Sequence, residues 1–279
     1  FKNMSMRQRA NVNISGGGSK VKYYMSLDVS HDSGLLNTEK AYSWNNNINI
    51  MNYTFQNNIA YKLTPTTTIK MNMNAQIRQK KSPNVSSEDL FKQILTTTPI
   101  EFPVTYPSQD DRIMYGNNII SGNTLYTNPY AKMMTTFAET NENTLNTVIK
   151  IDQDLDFITK GLSFKLKGSY NSSFTINKNL SGGTEMTYTP VLQSDGSVGL
   201  RPIDGSKYTN VSYGITRGKS RNWYMEAALN YNHSFGDHNI GALVLYNQSK
   251  EYYPKEYSDV PRGYVGLVGR VTYDWKNRY

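Results

Sequence analysis

Connections between the extended segments of this 279-residue sequence alternate between short and long. GGGS at 16–19, TPTT at 64–67, ITKG at 158–161 and FGDH at 235–238 are brief, whereas 31–45, 80–143, 175–220 and 251–262 are longer. In an antiparallel meander the chain reverses at every connection, so odd and even connections collect at opposite ends. All the tight turns then share one rim of the sheet and all the long loops share the other. That asymmetry is expected of an up-and-down transmembrane β-barrel, with short turns on one side of the bilayer and long loops on the other.

The segments between these connections alternate apolar and polar with a period of two. They cover about 4–14, 20–30, 46–63, 68–79, 144–158, 162–174, 221–235, 238–250 and 263 onward, nine in all. In 68–79, Ile69, Met71, Met73, Ala75 and Ile77 oppose Lys70, Asn72, Asn74, Gln76 and Arg78. In 221–235, Trp223, Met225, Ala227, Leu229 and Tyr231 oppose Glu226, Asn230 and Asn232, while 238–250 is mixed on both faces. A barrel turns the apolar set to lipid and the polar set to a wet lumen. Met71, Met73, Leu229 and Val244 are therefore expected to face lipid. Trp223, Tyr246, Tyr273 and Trp275 are expected to form the aromatic girdle at the bilayer interfaces.

The hairpin across Ile158–Gly161 sets charges against one another. If Thr159 and Lys160 form the loop, Asp154 faces Lys165 and Asp152 faces Lys167. If Lys160 and Gly161 form it, Asp156 faces Lys165 and Asp154 faces Lys167. Either register keeps the same faces and lines the lumen with a charge ladder of Asp152, Asp154, Lys165 and Lys167, with at least one carboxylate–ammonium contact. In the FGDH turn, Gly236 fits the first central position of a type II′ turn and Asp237 the second.

Segment lengths of roughly 11–17 residues exceed the roughly 9–11 that a tilted spanning strand needs. No run of apolar residues is long enough for a transmembrane helix, which takes about 18 or more. No signal peptide is visible. The chain has no cysteine, which excludes disulfides and thiolate metal sites. Its net charge of +8 comes from scattered lysines and arginines. No basic block points to nucleic acid.

One stretch departs from the β pattern. SSEDLFKQILTTTP at 86–99 opens with Ser86 as an N-cap, with Asp89 three residues on, and Pro99 limits it. A short helix is expected there, inside the longest loop. Loops of that length usually carry function. Trp44, Tyr115, Tyr126 and Tyr130 lie in long connections, where rings stack on sugars and pack on peptides. They are candidate substrate or lid contacts, with the interfacial girdle as the other reading of such rings. Glu101, Asp110 and Asp111 supply oxygens that calcium could use, but without a recognisable ligand spacing. No other cofactor is expected.

At this point a family resemblance enters. SKVKYYMSLDVSHDSGLL (19–36), YSWNNNINIMNYTFQNNIAYKLTPTTTIKMNM (42–73), LNYNHSFGDHNIGALVLYNQ (229–248) and VPRGYVGLVGRVTYDWKNRY (260–279) resemble the barrel of the SusC family. These are TonB-dependent outer-membrane transporters of Bacteroidetes. The F-G-D-H-N and G-Y-x-G-L-x-G-R-x-T-Y-D stretches are the most specific. The resemblance implies a barrel of about 22 strands filled by a plug. It also implies energy from TonB, a SusD-like surface lipoprotein as lid, and oligosaccharides or peptides as substrates. On this reading residues 1–279 are an internal part of one barrel domain, without the plug or the TonB-binding segment. The first and last strands should then lack partners within the chain, because about nine strands do not make the even-numbered closure of bacterial barrels.

Three other readings stand beside the transporter. A passive porin would share the strand pattern. A soluble β-rich glycan-binding module would bury its apolar face against a second sheet. An enzyme would need a constellation, and the candidates are Asp32 beside His31 and Asp237 beside His238. In the meander these two pairs fall on opposite rims, and no serine has a glycine-flanked elbow, so no enzyme activity is expected. Gly263, Gly266 and Gly269 have phosphate-loop spacing, but no helix follows them and the fingerprint fails.

Overall fold

The computed structural model describes residues 2–38, 44, 46–109, 112–121, 124–125, 127–181, 187–203, 212–253 and 260–276. In chain order the elements are β1 (Arg7–Gly17), β2 (Val21–Ser33), β3 (Asn49–Lys62), β4 (Thr67–Ser82), α1 (Ser87–Thr96), β5 (Thr105–Gln109), β6 (Arg112–Gly116), β7 (Ile119–Ser121) and β8 (Thr124–Leu125). There follow α2 (Pro129–Thr135), β9 (Thr136–Asp154), β10 (Leu162–Ser181), β11 (Thr187–Leu192), β12 (Val198–Pro202), β13 (Ser212–Phe235), β14 (His238–Tyr252) and β15 (Arg262–Trp275). Nine strands form one sheet in the order β1-β2-β3-β4-β9-β10-β13-β14-β15. Every neighbouring pair is antiparallel. The sheet is thus an up-and-down meander, and its short and long connections fall on opposite rims as expected. Among the described residues β1 and β15 do not pair, so the sheet stays open.

The registers carry one face across the whole sheet. Lys70 pairs with Lys150, Lys150 with Lys167, and Lys167 with Glu226. On the opposite face Met71 pairs with Ile149, and Leu229 lies between Phe164 and Val244. Among the described residues nothing covers this apolar face: Val244, Leu267 and Val271 are 56%, 76% and 77% exposed. A sandwich would bury such residues against a second sheet. The lone sheet with a bare apolar face is the geometry of a barrel wall.

Several strands run further than the alternation indicates. β9 begins at Thr136 rather than 144, β10 continues to Ser181, and β13 begins at Ser212 rather than 221. These extensions carry polar residues on both faces, such as Glu139 and Thr140 on β9 and Lys219 and Ser220 on β13. Alternation needs an apolar face, and beyond the apolar band there is none to read.

The tight turn in FGDH forms as expected, with Gly236 at φ +62° and Asp237 outside the left-handed region. The connection after β9 is wider than expected. It spans 155–161, and Asp152, not Asp154, pairs with Lys165. Asp154 pairs with Ser163, and Lys167 with Lys150, so neither expected ladder register is realised. The cause lies in the acidic side chains themselves. Asp154 accepts from the Asp156 amide at 2.8 Å, and Asp156 accepts from the Gly161 amide at 2.7 Å. Both carboxylates are used in building the turn. Gly161 closes it at φ +87°, and a Cβ there would sit 1.9 Å from the Asn232 carbonyl oxygen. Gly161→Ala is expected to cost about 1–2 kcal/mol through strain at a left-handed position. Gly168→Ala, where nothing lies within 4 Å, should cost less. Urea titration of the two variants compares them, and equal midpoints would contradict the account of this turn.

Candidate functional site

The long-loop rim carries a small core of its own. α1 is capped by Ser86, whose hydroxyl accepts from the Asp89 amide at 3.0 Å and donates to the Asp89 carboxylate at 2.7 Å. Glu88 and Asp89 in its first turn suit the helix dipole. α1 packs Leu90 against Leu36, Tyr115, Met133 and Met134. α2 was not anticipated, although Asn128-Pro129 is an N-cap followed by proline at the first helical position. Asn128 satisfies all its polar valences. Its oxygen accepts from the Tyr130 and Ala131 amides, and its amide donates to Val104 O at 2.9 Å and Gly116 O at 2.8 Å. That side chain ties α2 to β6 and to the segment before β5. Asn46 donates to the carbonyls of Met133 and Met134. A second sheet, β12-β11-β6-β5, and a β7-β8 pair fill the same loops. Their strands are too short to show a period.

Between α1, α2 and the 97–104 segment lies a mainly apolar cavity of about 450 Å³. Leu90, Ile94, Phe102, Tyr130 and Met133 line it, with Asn128 at one side. Tyr106 on β5 has its hydroxyl buried without a hydrogen bond, and burial pushes its phenol above the ordinary range.

The four candidate contact residues separate. Tyr130 lines the cavity and packs 6.3 Å from Tyr115, centroid to centroid. Tyr115 itself is only 1% exposed. It is a core residue, and the expectation that it touches substrate is corrected. Its position on β6, inside the small core, is the cause. Trp44 stands 6.4 Å from the Phe137 ring. Tyr126 lies outside the described residues, as do Asp110 and Asp111 of the calcium suggestion. Among the described residues no cluster of three or more His, Asp or Glu could hold a metal.

Asp152, Lys165 and Lys167 share the polar face, and Asp154 continues it at the end of β9. The carboxylate–ammonium contact is made by Asp152 with Lys70 across β4, at 2.8 Å. Arg9–Asp28 at 2.8 Å, Arg7–Asp32 at 3.1 Å and Arg78–Glu142 at 3.4 Å lie on the same face. Lys70 and Asp152 are both substantially exposed, so Asp152→Asn should change stability by less than about 1 kcal/mol in a urea titration. A larger loss would mean that the pair is buried by something else in the assembled barrel.

The Asp–His pairs do not form. Asp32 bonds Arg7, and His31 contacts the Asn49 amide at 3.1 Å. Asp237 pairs with Lys276 at 3.3 Å, and His238 stacks on Tyr273 with its Nδ1 2.7 Å from the hydroxyl. Met71, Met73, Leu229, Val244, Trp223, Tyr246, Tyr273 and Trp275 all lie on the apolar face by register. Among the described residues no helix is long and apolar enough to cross a membrane.

Solved structures share this fold. A chain of the RagAB peptide transporter aligns with a TM-score of 0.59 at 13% identity, over 97% of this chain and 30% of that one. The RagAB peptide importer aligns at 0.55 in its open-open state and 0.53 in its closed-closed state, each at 13% identity over 96% of this chain and 30% of the other. The chain therefore spans about 30% of the length of the solved chains it matches. No protein-family model matches it, and no curated protein sequence does. The likeness gives the fold: an antiparallel up-and-down sheet that part of each of those chains also forms.

Proposed function

We propose that this chain is part of the barrel wall of a TonB-dependent nutrient importer in the bacterial outer membrane. The observation that carries the reading is the nine-stranded open meander, apolar and bare on one face, polar and ion-paired on the other, with all its long loops on one rim. On this reading the apolar face meets lipid, and Trp223, Tyr273 and Trp275 belong to the interfacial girdle, whereas Tyr246, opposite Ala227, lies at mid-depth. Asp152, Lys165 and Lys167 line the lumen. The importer is of the SusC kind, and a SusD-like lipoprotein covers the long-loop rim. Plug and TonB-contacting parts belong to other residues of the complete protein. Tyr130 and the cavity beside it lie on the rim that the lipoprotein would cover.

Peptides are the first substrate class to test, because the solved structures with this fold include a peptide importer. Oligosaccharides are the second. The test is uptake of labelled peptide and oligosaccharide mixtures by cells with and without the gene, each in the presence and absence of TonB. Loss of uptake in both the gene deletion and the TonB deletion supports the reading. Uptake that needs the gene but not TonB would make the protein a passive porin. Release of the protein from membranes without detergent would instead favour the soluble glycan-binding module.

A further inference from the structure

Charge on the apolar face of the main sheet is confined to one end. Within the strands, the charged residues of that face are Lys81, Glu139, Lys178, Arg217, Lys219, Arg221 and Lys250. All lie toward the long-loop rim. Toward the short turns the same face carries His233, Phe235, His238, Tyr273 and Trp275, with no lysine or arginine among the described strand residues. The polar face behaves differently, because there Arg7, Arg9 and Arg78 meet carboxylates. On the apolar face Glu139 offsets Lys178 at 3.7 Å and feels the charge of Lys81 as well.

Three of these cations are gathered on tyrosine rings. Lys219 Nζ lies 4.1 Å from the Tyr253 centroid and Arg221 Cζ 4.2 Å from that of Tyr252. Lys250 Nζ approaches the Tyr252 ring at 5.5 Å. Tyr253 adopts φ +62°, a strained conformation for a residue with a side chain, and in that conformation its ring meets Lys219. Arg221 Nε is buried and makes no hydrogen bond. The cluster stands directly above the apolar run of β13 from Trp223 to Tyr231, whose length matches the roughly 9 residues of a spanning strand. Its depth is therefore that of lipid headgroups.

We propose that Lys219, Arg221 and Lys250 bind the net-anionic, phosphate-bearing headgroup of a lipid in the leaflet at the long-loop rim. The inference rests on the reading of the apolar face as lipid-facing. A guanidinium pairs with phosphate oxygens through two donors at once, and ammonium groups add charge without geometric demand. The rings hold the three cations without neutralising them. A carboxylate in their place would do so. Cations that merely reached for water would show no preference among headgroups.

The test uses the complete protein in phosphatidylcholine nanodiscs doped with diphosphoryl lipid A, with retained lipid read by native mass spectrometry. Wild type should retain the lipid. The triple variant Lys219→Gln, Arg221→Gln, Lys250→Gln should bind it on the order of a hundredfold more weakly. Arg9→Gln, which removes a cation from the other face, should leave retention unchanged. A second arm needs no variant: wild type should fail to retain lipid A from which the phosphates have been removed. Equal retention of phosphorylated and dephosphorylated lipid overturns the proposal. So does undiminished retention by a triple variant that still migrates as a heat-modifiable barrel. Displacement by millimolar inorganic phosphate would point to a free-anion site and also overturn it. In each of these cases a protein that still needs detergent for extraction keeps the importer reading intact. Extraction without detergent would remove that reading first.

Discussion

Replacing Leu229 by arginine in the complete protein is expected to destabilise the folded barrel by about 2–4 kcal/mol. Leu229 lies midway between Trp223 and Phe235 on the apolar face of β13, between Phe164 on β10 and Val244 on β14. It is 43% exposed, since among the described residues only its strand neighbours pack on it. In a soluble protein an arginine at such a site would project into water at little cost. In a bilayer it must either stay in hydrocarbon or stretch toward an interface, and near the midplane neither is cheap. The paired control is Ala228→Arg, one residue away on the polar face. Ala228 is buried, so that variant tests crowding in the lumen wall rather than contact with lipid. Asn72→Arg on β4, exposed on the polar face, is the cleaner reference and should be nearly neutral. Reversible urea unfolding in lipid vesicles gives the difference. A Leu229→Arg variant as stable as Asn72→Arg would contradict the assignment of faces.

Asn128→Ala is the second large effect, and a local one. The substitution removes an N-cap, worth about 0.5–2 kcal/mol, from α2. It also leaves the carbonyls of Val104 and Gly116 without their donor, at about 1–3 kcal/mol for each buried group left unsatisfied. The sum should fray α2 and open the cavity while leaving the main sheet folded. Hydrogen exchange separates the two: amides of 129–135 should lose protection, and those of β9 and β10 should keep it. Asn128→Asp keeps the capping oxygen but loses both donors to the carbonyls, so it should fall between wild type and alanine. Unchanged protection of α2 in the alanine variant would mean that the helix is held by packing of Met133 and Met134 alone.

The sheet was legible in the sequence wherever one face is apolar. Ile69 to Ile77 alternate without interruption, Trp223 to Tyr231 do so except at Tyr224 and Ala228, and both lie in strands with the expected faces. Legibility ended where the apolar face ended. Residues 136–143 and 212–220 continue strands beyond the apolar band and look like loop, because apart from the buried Phe137 most of their side chains are polar on both faces. Register across 155–161 was misread for a different reason. Asp154 and Asp156 were assigned to a charge ladder, but backbone amides of the turn are nearer and take their oxygens first. The helix at 87–96 was visible through its cap, whereas α2 was not, although Asn128-Pro129 carried the signal. Tyr115 shows the limit for the rim. Its place in a long connection suggested exposure, but the small core around Met134 depends on contacts among four separated segments, which no local pattern records.

Because the chain contains no cysteine, single introduced cysteines can each carry one spin label without background from these residues. The most direct test labels positions 164, 165, 166, 167, 169 and 170 of β10 in turn, in the complete protein in lipid vesicles. Relaxation by oxygen, which concentrates in hydrocarbon, is compared at each position with relaxation by a water-soluble nickel complex. The account predicts alternation. Phe164, Leu166 and Tyr170 should be reached by oxygen and shielded from nickel, and Lys165, Lys167 and Ser169 the reverse. Oxygen access without alternation, or nickel access at Phe164 and Leu166, would contradict the claim that this sheet is a membrane barrel wall.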